Sequence, residues 1–250
     1  MASEGIRLQS RSVARGATWL LGALLVSAGA ACTDDDSEPA ASADTTTTTT
    51  VARAHTPTPP GRYTYAVRGA LSSNLLPGQQ LVPTATLAVD ALNSSDQRQV
   101  LTFGEVVVEQ LVRYANDGVY LVSMKANEAG GGEEYRPAEP LLTAPSGAEV
   151  GRTWSWQVPS TDGDSTMKVD YKVASTELRK VGNESIGTSV VEATTVVTGA
   201  DGVITSRQVL WTSERHGGLP VRITEVTQGS NRGLEIRLEA TFDLVSTTPV

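Results

Sequence analysis

Residues 105–126 read EVVVEQLVRYANDGVYLVSMKA. Two β-rich runs flank Asn116-Asp117-Gly118, and Asn, Asp and Gly tolerate the positive φ that a tight hairpin needs. Val107, Leu111 and Tyr114 also fall in helical register, but the Val triplet is stiff at χ1 and favours strand. The segment reads as a β-hairpin, and it sets the terms for its surroundings.

The same pattern repeats on both sides. RYTYAV places Tyr63, Tyr65 and Val67 on one face, and TATLAVD places Ala85, Leu87 and Val89 together. TWSWQV and TMKVDYKV meet around Asp162-Gly163, and TSVVEATTVV joins VITSRQVLW through Gly199–Gly202. LPVRITEV turns at QGSNRG into a strand alternating Leu234, Ile236, Leu238, Ala240, Phe242 and Leu244. The expected fold is all-β, an antiparallel up-and-down meander of about ten strands. So many strands do not stay flat, so a half-barrel or a sandwich is expected. Residues 126–150, with Gly130-Gly131-Gly132, read as the longest irregular section, and Val150, Trp154 and Trp156 share a parity that points both indoles to the core.

Composition narrows the function classes. The 250 residues hold 20 Lys+Arg against 28 Asp+Glu, one Cys and two His. A single Cys makes no internal disulfide and no multi-thiolate metal site. With a pI near 4.9 and bases scattered among acids, there is no basic face for nucleic acid.

The first 31 residues run from Arg7, Arg11 and Arg15 through ATWLLGALLV to Ser27, Ala28, Gly29, Ala30 and Ala31. That charge, apolar and small-residue order is a signal peptide. The stretch from Gly16 to Ala31 falls short of the roughly 18 residues of a spanning helix. Residues 32–60 follow as a tether of Asp, Ser, Ala, Pro and the run Thr45–Thr50. Such a segment buries too little to offset its own ordering, and as a coil it spans roughly 30 Å. Residues 61–250 are one β domain.

Gly29-Ala30-Ala31-Cys32 resembles the lipobox of bacterial lipoproteins, with Gly29 where that family usually has Leu. The resemblance implies that Cys32 becomes the first mature residue and carries a diacylglyceryl group. The membrane is then the partner through the acyl groups on Cys32, and the chain stands on the outer leaflet of the cell membrane. An unmodified thiol there would be open to oxidation. The alternative is cleavage after Ala30 and free secretion. PGRYTYAVRG, AEPLLTAPSGAEVGRTWSWQ and WTSERHGGLPVRI are also similar to phrases of uncharacterised secreted or lipid-anchored β-rich proteins of high-GC Gram-positive bacteria. That resemblance brings no activity and no catalytic residue.

Candidates for chemistry are sparse. His55 lies in the tether, and His216 sits in a loop beside Arg215 and Glu214, with no GxSxG elbow to supply a serine. Glu133, Glu134 and Glu139 are close enough in sequence to suggest a glycosidase pair, but flank a Gly-rich loop. Asp162, Asp164 and Asp170 have a DxD spacing, yet Val173 stands where an EF-hand needs an acid. No residue is assigned to catalysis, a metal or a cofactor. The expected function is a non-enzymatic envelope module for a protein or glycan; the alternative is a carrier of a lipid-like, apolar ligand in a half-barrel cavity.

Overall fold

The computed structural model describes residues 56–75, 78–128, 131–231 and 233–250. The expected signal peptide, Cys32, His55 and most of the tether lie outside these residues.

Strands β1 (Gly61–Ser73), β2 (Gln79–Gln80), β3 (Thr84–Ala91), β4 (Asp96–Phe103), β5 (Val106–Ala115), β6 (Gly118–Glu128) and β7 (Gly131–Tyr135) form the first half. The second half holds β8 (Leu141–Pro145), β9 (Thr153–Pro159), β10 (Ser165–Val181), β11 (Glu184–Gly199), β12 (Gly202–Ser213), β13 (Leu219–Asn231) and β14 (Leu234–Leu244). All fourteen belong to one antiparallel sheet, and Glu214–His216 make a single 3-10 turn. The all-β meander is what the alternation predicts. Among the described residues it has fourteen strands where about ten were expected, and it curls past a half-barrel into a nearly closed barrel. Twist accumulated over so many strands brings the two ends of the sheet together.

The order along the sheet is β7-β6-β5-β4-β3-β1-β14-β13-β12-β11-β10-β9, with β2 on β1 and β8 on β6. The first and last long strands therefore pair, from Tyr65↔Leu244 to Ser73↔Ile236. The gap falls mid-chain, where β7 and the end of β9 touch through one bridge, Tyr135↔Ser160.

Two of the additional strands, β7 and β8, lie in the section read as irregular. The glycines mislead there. A Cβ on Gly132 would stand 2.3 Å from the Ala126 carbonyl oxygen, so glycine is what lets β7 close on β6.

Inward parity matches the expected core: Tyr63, Tyr65, Val67, Leu87, Val89 and Phe242 are all buried. Trp156 is buried and Trp154 packs partly against the core, but Val150 is 59% exposed, because it precedes β9 in a turn. The outer face carries ion pairs such as Arg98–Glu109 and Arg113–Asp96. Apolar inside and charged outside is the reverse of a membrane-spanning barrel.

Candidate functional site

The inner wall is built in rows, because register partners on successive strands point the same way. One row runs Val67–Phe242–Ile223–Leu210–Val191 and is apolar. The next runs Gly69–Ala240–Glu225–Gln208–Ala193–Tyr171–Trp154. Below it come Leu71–Leu238–Thr227–Ser206–Thr195–Val169–Trp156, and then a largely apolar row through Ile236, Ile204, Val197 and Met167. Glu225, Gln208, Thr227, Ser206 and Thr195 thus form a polar belt on β11–β13, enclosed by apolar rows.

Glu225 is its centre, 2% exposed. Ser206 Oγ and Thr227 Oγ1 donate to its Oε1 at 2.8 and 2.7 Å, while Oε2 has no hydrogen-bond partner. Gln208, its cross-strand neighbour, favours the carboxylate without reaching hydrogen-bond geometry. Burial outweighs these donors and pushes the carboxyl from 4.5 up to about 7. The belt can therefore hold a proton at neutral pH. At one end of it Trp154 stacks on Tyr171, with ring centroids 5.0 Å apart.

Strands β4 and β5 add buried Gln97, Gln99 and Gln110. At this end of the barrel the chain arriving at β1 enters the mouth. Thr58, which composition places in the tether, is 2% exposed. Its carbonyl accepts from Gln97 Nε2 at 2.6 Å, and its hydroxyl donates to the Gly217 carbonyl at 2.8 Å. Tyr114 Oη contacts the Thr58 hydroxyl at 3.1 Å and donates to the same Gly217 carbonyl at 3.3 Å.

The sequence candidates separate. Glu133 and Glu134 alternate to opposite faces of β7; Glu134 pairs with Arg136 at 2.7 Å, and Glu139 is exposed. Asp170 pairs with Lys168 at 2.8 Å, away from the turn that holds Asp162 and Asp164. Asp162 instead stabilises that turn, accepting from Ser160 Oγ at 2.6 Å and the Asp164 amide at 3.1 Å. These bonds hold its carboxyl below the usual range. Among the described residues, no three His, Cys, Asp or Glu side chains are grouped to hold a metal. His216 is half-buried, and its Nδ1 lies 2.9 Å from Ser213 Oγ. Ser213 is 0% exposed, so this pair fastens the 3-10 turn and offers no reachable nucleophile. Burial pushes the imidazole pKa down.

The structure brings Glu133 to Asp162 and Asp164, a pairing across the barrel's gap that local spacing does not show. Sequence reading also passed over Glu225. The signal was present: in LPVRITEV it shares parity with Leu219, Val221 and Ile223, a carboxylate on a core face.

Fold and interior together define an antiparallel up-and-down β-barrel with a polar belt in its core. No family model and no curated protein matches the chain. Among solved structures it is similar to the crystal structure of the hypothetical lipoprotein YmcC from Escherichia coli (K12). Identity is 10% and the TM-score 0.34, over 72% of this chain and 86% of that one, and a likeness this loose carries no argument about function.

Proposed function

We propose that this is an exported, lipid-anchored envelope protein whose barrel serves as a non-enzymatic binding module on the outer leaflet. The anchor is Cys32, following the signal-peptide order of residues 1–31. The partner class is an envelope protein or glycan.

One observation favours a binding module over a carrier of apolar ligand: inward side chains from non-adjacent strands pack on one another around β1. Phe103 of β4 packs edge-on against Phe242 of β14 at 5.5 Å, although β3 and β1 lie between their strands. From the same wall, Tyr65 Oη donates to the Pro220 carbonyl at 2.8 Å. A carrier needs a void of roughly 300–1,000 Å³, and these contacts fill the interior beside β1.

Purification from native membranes followed by mass spectrometry tests the reading. The expected mature chain begins at Cys32 with a diacylglyceryl mass on it, and C32S goes to the medium or stays unprocessed. Unchanged retention and mass in C32S would overturn the anchor. A stoichiometric co-purifying lipid beyond the anchor would overturn the module in favour of the carrier.

A further inference from the structure

The barrel's two halves are joined unequally. β1 and β14 pair over nine positions, whereas β7 meets the end of β9 through Tyr135↔Ser160 and the Thr161 amide, which donates to the Glu134 carbonyl at 2.8 Å. Side chains reinforce this weak side. Tyr135 Oη and Ser165 Oγ both donate to Glu133 Oε2, Ser165 at 3.2 Å, and the two hydroxyls lie 3.1 Å apart. Ser160 ties the adjoining turn to Asp162 and to the Ser165 backbone.

We infer that this seam is a pH-sensitive latch, closed when the Glu133 carboxyl is protonated and loosened when it ionises opposite Asp162 and Asp164. The groups around Glu133 pull in two directions: the Tyr135 and Ser165 hydroxyls favour its charge, while burial and the neighbouring aspartates oppose it. From the β9–β10 turn, Asp162 and Asp164 both disfavour its negative charge. On its own strand, Tyr135 stays protonated, because burial and Glu133 raise its pKa. Glu134 is on the other face with Arg136, and Lys125 of β6 lies opposite Glu134. Burial outweighs the Tyr135 and Ser165 hydrogen bonds and, with a smaller push from the two aspartates, takes Glu133 from 4.5 up to about 7. A raised carboxyl binds its proton more tightly in the closed seam. Closure is therefore favoured below about 7 and loses that support as pH rises through it.

The test is hydrogen exchange read by mass spectrometry on the mature chain in an E225Q background, which removes the interior carboxyl from the same pH window. Peptides covering β7 and residues 153–161 should lose about tenfold in protection between pH 5.5 and 8.5, a one-unit coupling. Peptides from β12 and β13 should not change. E133Q should abolish the pH response at the seam. S165A, which removes a donor to the ionised form, should move its midpoint upward. Equal seam protection at both pH values, the same response in E133Q, or a loss spread evenly over all strands would overturn the latch.

Discussion

E225Q is expected to stabilise the protein at pH 8 by about 3 kcal/mol and by only about 1 kcal/mol at pH 5. The Glu225 carboxyl goes from 4.5 to about 7 on burial, so the folded state binds the proton more tightly than the unfolded chain. Stability is full below the unfolded value, falls as pH rises through about 7, and is then constant. A shift of that size corresponds to about 3 kcal/mol, and the group is buried enough that solvent screening does not discount it. The amide keeps the Oε1 acceptor for Ser206 and Thr227, and a flip of the Gln208 amide, whose Oε1 lacks a donor, would let it accept from the new N–H₂. Urea unfolding at the two pH values reads the difference, equivalent to roughly 6–12 °C in Tm for a domain of this size. An equal effect of E225Q at pH 5 and pH 8 would show that the carboxyl's pKa does not rise on folding and that the change acts by packing alone.

Why a chain keeps such a residue bears on what could be read beforehand. Period-two alternation reports which side of a strand faces in, and it located Tyr63, Leu87 and Phe242 correctly. It is blind to what polar residues at inward parity do, because Ser206 and Gln208 meet Glu225 and Thr227 only across two strands. Turn chemistry was legible for the same reason as the core: Asn116-Asp117 and Asp162-Gly163 act locally. Strands β7 and β8 were missed because they are short, Gly- and Pro-flanked, and held by β6 rather than by their own propensity. The seam is a contact between residues 133–135 and 160–165, joined by no hairpin, so no local rule reaches it. The parity that Val150 shares with Trp154 does not bury it, because the chain has not yet entered the strand.

G217A is expected to cost about 3 kcal/mol and to release the segment around Thr58 from the barrel mouth. Gly217 caps the 3-10 turn at φ 70° and ψ 32°, where a Cβ alone costs about 1–2 kcal/mol. The added carbon would stand 2.2 Å from the Thr58 nitrogen and 2.4 Å from its Cα. Both are backbone atoms, so the segment must move rather than a rotamer. Its departure breaks the Gln97–Thr58 and Thr58–Gly217 bonds, at about 1 kcal/mol each, and leaves Gln97 with an unpaired buried amide. T58A separates the two effects, since it removes the hydroxyl bonds without a clash and should cost only about 1–2 kcal/mol. Hydrogen exchange should show residues 56–63 losing protection in G217A while β11–β13 keep theirs. A wild-type unfolding midpoint in G217A would mean that the close approach of Thr58 to the turn does not exist. The measurement reaches past stability, because Thr58 is where the chain arriving from the expected anchor becomes part of the barrel. With Thr58 fixed by Gln97, Tyr114 and Gly217, the expected tether would join the barrel at the end that carries the 3-10 turn, and G217A would move that junction to Gly61.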